Sequence, residues 1–165
     1  MATMTTALYE GPNRMRVAQV EKPEAGPGDA IVRVRCVGIC GSDLLMNADK
    51  TGPDELPAGH EVAGEIVEVG EGVDPSRLGE RVAIETVGQG RACGRCWFCR
   101  MGQFVRCPDM APLEGGGFAQ FIKRRAVGCY PVPDSLSWEE AALVEPLAVS
   151  VHGVRRGELK GGETV

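Results

Sequence analysis

The sequence predicts a mainly β domain that carries a zinc-binding Cys lobe and gathers a few helices toward its C-terminal end. Three observations predict it. Runs of β-branched residues alternate between Gly- and Pro-containing turns from residue 4 to residue 132. Four cysteines crowd into the stretch from Cys93 to Cys107. The chain then changes character at Ser137, where Ser137-Trp138-Glu139-Glu140 reads as a capping box ahead of an apolar run.

The elements follow in order. Met4–Tyr9 and Met15–Val20 read as a hairpin joined through Gly11-Pro12-Asn13. Ala30–Val37 alternates as a half-buried strand, with Ala30, Val32, Val34 and Cys36 on one face. Ser42 could cap a short helix over Asp43–Ala48, and residues 49–58 form a polar loop. Glu61–Val69 and Glu80–Glu85 read as strands, as do Phe118–Lys123 and Ala126–Val132 beyond Gly115-Gly116-Gly117. Pro146 interrupts the helix begun at Ser137 but can open a second one, Leu147–Arg156, with Gly157 past its end. Gly161–Val165 looks like the approach to a further strand.

With 165 residues the chain is about one domain, able to bury an ordinary core. Its net charge of −5 argues against a nucleic-acid footprint, so none is expected as partner. No apolar run is long enough to span a bilayer, and Met1–Glu10 lacks the features of a signal peptide. A cytoplasmic protein without a membrane partner is the default. Seven cysteines in that setting point to metal or reactive thiols rather than disulfides.

Cys93, Cys96, Cys99 and Cys107 stand as C-x2-C-x2-C-x7-C. Such short spacings wrap one loop around a tetrahedral ion, and four thiolates fill every position, which makes a structural zinc site. Arg91, Arg95, Arg100 and Arg106 interleave the sulfurs and could offset their negative charge. An iron–sulfur cluster or reduced, metal-free thiols are the alternatives.

A second group of donors is spread more widely. Gly38-Ile39-Cys40-Gly41-Ser42-Asp43 supplies a thiolate, and Gly59-His60-Glu61-Val62-Ala63-Gly64 an imidazole and a carboxylate. These donors suit zinc and leave a position open for water or substrate. Taken singly, Cys40 reads as a buried thiol, His60 as a core histidine and Glu61 as a solvated charge. Together, flanked by Gly38, Gly41, Gly59 and Gly64, they read as an open metal site.

The run Gly59-His60-Glu61-x2-Gly64-x5-Gly70-x2-Val73 resembles the zinc signature of the medium-chain alcohol dehydrogenases. Gly38–Asp43, the Cys lobe and Glu145-Pro146-Leu147 resemble the same family's other landmarks, in the same order. Glu145-Pro146-Leu147 is most similar to the polyol, sugar and threonine dehydrogenase branch. The resemblance implies a GroES-like, partly open β-barrel with its zinc lobe at about 90–110 and its helices at about 137–156. It implies two zinc ions per chain. One is structural, on Cys93, Cys96, Cys99 and Cys107; one is catalytic, on Cys40 and His60, with Glu61 and Glu145 as ligands or holders of its water. Ser42 would hydrogen-bond the substrate hydroxyl and pass its proton outward, and Asp43 would orient His60. The implied reaction is oxidation of a secondary hydroxyl of a polyol, sugar or amino alcohol. Zinc acts as Lewis acid and hydride passes to NAD or NADP.

Some positions depart from that pattern. Many relatives carry His where this chain has Leu45, so a relay through that residue is lacking here. Leu44, Leu45 and Met46 read as core packing, with a wall of the substrate pocket as the alternative. Cys36 and Cys129 read as core thiols, and His152 as a capping or packing residue with an active-site role as the alternative. Trp97 and Phe98 would cover the lobe's zinc or meet a partner subunit, and Lys123-Arg124-Arg125 reads as a solvated strand end.

No Gly-x-Gly-x-x-Gly follows a strand, and the family places its dinucleotide-binding domain directly after a segment like Lys160–Val165. The chain therefore reads as the catalytic domain, residues 1–165, of a longer enzyme, inactive alone. The longer enzyme is expected to be a homodimer or homotetramer and the fragment a monomer. The alternative is a freestanding GroES-like zinc-binding module without catalysis.

Overall fold

The computed structural model describes residues 2–48, 56–86, 88–112 and 114–163. Strands β1 (Thr3–Gly11) and β2 (Arg14–Glu21) form an antiparallel hairpin. Asn13 turns it at φ 55°, a left-handed conformation that Asn tolerates better than most residues. Strand β1 buries Met4, Leu8 and Tyr9, whereas β2 is largely exposed along its length.

Five further strands form one antiparallel sheet: β3 (Asp29–Gly38), β4 (Glu61–Val69), β5 (Arg81–Ile84), β6 (Phe121–Arg125) and β7 (Cys129–Pro131). Their spatial order is β6-β3-β4-β5-β7. The segment before β6 links this sheet to the hairpin. Ala7 N–H donates to the Phe118 carbonyl at 2.8 Å, Gln120 N–H to Thr5 at 3.1 Å, and Val34 N–H to Gln120 at 3.0 Å. The result is a curled sheet that stays open, as expected of a partly open barrel. Its core joins Ala30, Val32, Val62, Ile66, Val82, Ile84 and Ile122 from the sheet's central and edge strands. Cutting Ile66, which is fully buried, back to Ala would cost about 2–5 kcal/mol.

The capping box at Ser137 is present in both directions. Ser137 N–H donates to Glu140 Oε2 at 2.8 Å and Glu140 N–H to Ser137 Oγ at 3.1 Å. It opens helix α3 (Trp138–Ala142), the third after α1 (Gly41–Ala48) and α2 (Trp97–Arg100). Ala141 and Ala142 pack against Ala63 of β4, small side chains that let the helix lie close on the sheet. Helix α4 (Val144–Arg156) follows at once and buries none of its residues.

Several boundaries differ from expectation, each for a local reason. Helix α1 begins at Gly41, so Ser42 lies inside it; Asp43, not Ser42, supplies the capping bond, its Oδ2 accepting from Cys40 N–H at 2.9 Å. Helix α4 begins two residues before Pro146, which sits in the first turn where its missing N–H is not needed. Residues 126–128 form a 3-10 turn, so only Cys129–Pro131 of the expected final strand pairs. Phe118–Gln120 crosses over to the hairpin before β6 starts at Phe121. Arg124, expected in water, is 4 % exposed. The expected 49–58 loop and the C-terminal strand approach lie partly outside the described residues.

Candidate metal centres

The lobe between β5 and β6 brings four sulfurs together. Cys96 Sγ lies 3.4 Å from Cys99 Sγ and 4.0 Å from Cys107 Sγ, and Cys93 Sγ lies 3.9 Å from Cys99 Sγ. A disulfide needs about 2.05 Å. A tetrahedron with Zn–S bonds of about 2.3 Å has edges of about 3.8 Å, and the sulfurs match that spacing. All four cysteines are free thiols, and their ligand atoms lie within 4.8 Å of one another. The loop arranges backbone donors toward them. The N–H groups of Arg95 and Cys96 hold the Cys93 thiol down to about 6, which favours the thiolate a metal requires. Burial pushes Cys99 the other way. Arg95 pairs with Asp109 at 2.7 Å, and Arg91 Nε bonds the Ala111 carbonyl at 3.0 Å, so these two arginines brace the lobe. Trp97 is exposed and meets the Phe98 ring edge-on at 5.2 Å.

The second group forms where the end of β3, the start of α1 and the start of β4 converge. One ligand atom each from Cys40, His60 and Glu61 falls within 4.8 Å of the others. Four observations fit a metal there. The buried Asp43 carboxylate puts Oδ1 3.7 Å from His60 Nδ1 while its Oδ2 holds the Cys40 backbone, so one side chain positions both donors. Tyr9 secures that turn from below, its hydroxyl donating to the Asp43 carbonyl at 2.9 Å. Gly38 faces Glu61 in the β3–β4 register, and the Glu61 carboxylate occupies the space a Cβ at Gly38 would fill. Gly59, at φ +90°, turns the chain into His60 with the Phe118 ring against its α-carbon. This thiolate–imidazole–carboxylate set suits zinc.

Ser42 is half-buried in the first turn of α1 beside these donors. Glu145 stands in the first turn of α4, outside the three-residue group, yet close enough to feel it. Burial raises its carboxyl above the ordinary range, Glu61 and Glu85 add to the rise, and His60 opposes it. Glu145 also lines a cavity of about 540 Å³ between β5, the Cys lobe and α4. Glu85, Thr86, Phe104, Tyr130 and His152 share that cavity, and the exposed His152 reaches it from two turns along α4. Cys40, His60 and Glu61 do not line it. The sequence alone did not single out Tyr9, Thr86 or the Tyr130–Gln89 hydrogen bond of 2.6 Å. A tyrosine on the buried face of a hairpin was the available signal for the first, because its hydroxyl must find an acceptor.

Cys36 packs beside Ala63, Ala141 and Ala142, and Cys129 is buried in the main core, as expected of packing thiols. Leu44 and Leu45 are both exposed, so neither is core. The side chain of Met46 lies outside the described residues.

Residues 26–134 match the alcohol dehydrogenase GroES-like domain. The chain is 38 % identical over 173 residues to sorbitol dehydrogenase of Bacillus subtilis, covering 98 % of this chain and 48 % of that protein. It is 40 % identical over 167 residues to sorbitol dehydrogenase of Arabidopsis thaliana, covering 96 % and 45 %. Among solved structures, a short chain alcohol dehydrogenase from E. coli complexed with NADH aligns with a TM-score of 0.84 and 31 % identity, over 99 % of this chain and 48 % of that one. The 2R,3R-butanediol dehydrogenase of Bacillus subtilis aligns with a TM-score of 0.74 and 31 % identity, over 98 % and 49 %. The chain spans about half the length of the curated relatives it matches. No helix among the described residues is long and apolar enough to cross a membrane.

Proposed function

The chain belongs to the alcohol dehydrogenase GroES-like domain family, with its relations among the sorbitol-dehydrogenase-like zinc enzymes, and from that premise we propose that it is the catalytic domain of a zinc- and NAD(P)-dependent dehydrogenase. Its substrate is a secondary hydroxyl of a polyol, sugar or amino alcohol. The observation that carries this reading is the convergence of Cys40, His60 and Glu61 around the buried Asp43. A binding module has no use for three donors that leave a coordination position open.

In this reading Cys40, His60 and Glu61 hold a catalytic zinc, and Cys93, Cys96, Cys99 and Cys107 hold a structural one. The catalytic zinc, when bound, supplies Lewis-acid polarisation of the substrate oxygen. The remaining work falls to side chains of this chain. Asp43 fixes the His60 ring through Nδ1 and the Cys40 turn through its backbone N–H. The Ser42 hydroxyl accepts the proton of the substrate hydroxyl and hands its own to water or a cofactor hydroxyl, because Leu45 offers no relay. Glu145, its carboxyl raised by burial, stands at the cavity edge where it can hold a water beside the site or exchange with Glu61. The half of the enzyme that the relatives have beyond this span would hold NAD or NADP and contribute the subunit contacts of a dimer or tetramer. A cytoplasmic setting suits seven free thiols.

The test is zinc content by elemental analysis on protein purified without chelator, for the chain and for Cys40→Ala. Two zinc per chain falling to one supports the reading. One zinc per chain, unchanged by the substitution, removes the catalytic site from it. Oxidation of a polyol panel by the longer enzyme, and its loss in Glu145→Gln, then tests the chemistry.

A further inference from the structure

Strand β6 carries a cation into the interior. Arg124 is 4 % exposed, its Nη atoms donate to the Lys123 and Gly115 carbonyls at 2.7 Å, and its Nε is buried with no acceptor among the described residues. Both of these acceptors are neutral carbonyls. A guanidinium taken out of water needs an opposing charge to offset its desolvation, and burial brings Arg124 down to about 10, so it still carries its charge at neutral pH.

Arg124 lines a polar cavity of about 190 Å³, several times the space one water needs. Arg91, Lys123 and Arg125 line it too, against two carboxylates, Asp29 and Glu114. Lys123 and Glu114 pair at 2.9 Å, so three guanidinium groups face the one remaining lining carboxylate, Asp29, although the charges of Glu114 and Glu85 are also felt at Arg124. The cavity sits at the neck of the Cys lobe. Ala111 N–H donates to the Arg91 carbonyl at 2.8 Å where the lobe's two limbs meet, and Arg125 N–H reaches the Gly90 carbonyl at 3.4 Å from β6.

We propose that this cavity binds a small free oxyanion of the phosphate or sulfate type, held by Arg91, Arg124 and Arg125. The anion neutralises the buried Arg124 and ties both limbs of the lobe to the edge of the sheet. Planar guanidinium forks match the paired oxygens of such an anion, whereas chloride, a single spherical acceptor, offers no pair of oxygens for a two-pronged contact. The site is separate from the metal donors and does not depend on the reaction proposed above.

Sulfate is the probe, since it does not strip zinc from thiolates. Calorimetric titration of the zinc-loaded chain with sodium sulfate, at ionic strength held constant with sodium chloride, should give saturable binding of a single sulfate. Arg91→Gln and Arg124→Met should each weaken it by about tenfold or more, the loss expected for a charge-assisted hydrogen bond. Glu114→Gln should tighten it by removing an opposing carboxylate. Should Arg124→Met fail to fold, Arg125→Gln at the same cavity takes its place. No saturable sulfate binding in the unmodified chain, or binding unchanged in both Arg91→Gln and Arg125→Gln, would overturn the proposal.

Discussion

Gly38 and Gly41 lie three residues apart in one motif, and the structure gives them opposite fates on substitution. A Cβ at Gly38 would land on the Glu61 carboxylate and come within 3.0 Å of Glu61 Cβ and 3.1 Å of its Cδ. The carboxylate end can swing aside, but the Cβ is fixed by strand β4, so the β3–β4 pair must part by a few tenths of an ångström. Overpacking of this kind costs about 1–3 kcal/mol, which in a domain of this size lowers Tm by roughly 2–12 °C. The displaced carboxylate leaves Cys40 and His60 without their third donor, so Gly38→Ala should also lose the zinc assigned to that group while the Cys-lobe zinc stays. A Cβ at Gly41 meets nothing among the described residues within 4 Å. Gly41→Ala should therefore hold both zinc ions and match the parent stability or exceed it by up to about 1 kcal/mol through reduced unfolded-state entropy. Scanning calorimetry and elemental analysis on the same preparations read both effects. If Gly38→Ala keeps two zinc ions per chain and the parent Tm, Glu61 is not held against Gly38 as described and is not the third donor.

Other outcomes follow from the same geometry. Asp43→Asn should weaken zinc at the Cys40 group by about 10–100-fold in a chelator competition, because its carboxylate orients two donors at once; affinity within twofold of the parent would refute that role. Arg81 lies 3.8 Å from the Trp138 ring centre and bonds the Leu136 carbonyl, so Arg81→Lys should lower stability by about 1–2 kcal/mol in urea melts, and an unchanged midpoint would refute the stacking argument. Burial pushes Cys129 up to about 12 from 9.0. The folded state thus keeps the thiol proton where the unfolded chain loses it, and this contribution is complete below pH 9 and is lost as pH rises toward 12. Stability should fall more steeply from pH 9 to pH 10 in the parent than in Cys129→Ala. Arg124, lowered to about 10, acts in the opposite sense over part of the same range, but it is present in both proteins, so the difference between them reports the thiol. Equal slopes would count against a buried neutral thiol.

Where the sequence was legible, the signal was local. The Ser137 capping box depends on four consecutive residues, and both of its hydrogen bonds are present. Strand β4 runs over the same Glu61–Val69 span that its alternation predicts; Val62 and Ile66 meet the main core while Ala63 packs against Ala141 and Ala142 of α3. The start of α1 was misread by its cap. Ser42 and Asp43 both carry capping side chains, and it is the Asp43 carboxylate that reaches back to Cys40 N–H while also facing His60 from elsewhere in the chain. Arg124 was misread for a similar reason. Period-two alternation puts it on the same side as Ile122, but nothing local says that Gly115 will return to cover it.

By itself, then, the sequence determined the donor inventory, the element types and the grouping of Cys93, Cys96, Cys99 and Cys107, whose spacing is short enough for a single loop to close around one ion. Only the tertiary structure decided that Cys40 and His60, 20 residues apart, meet over Asp43. It also left Glu145 beside that group rather than in it, and gave a buried arginine a basic cavity at the lobe's neck. The physical reason is range. Capping, alternation and short-loop chelation are settled within a few residues, whereas the β3–β4 register, the landing point of α4 and the burial of β6 depend on which distant surfaces exclude water together.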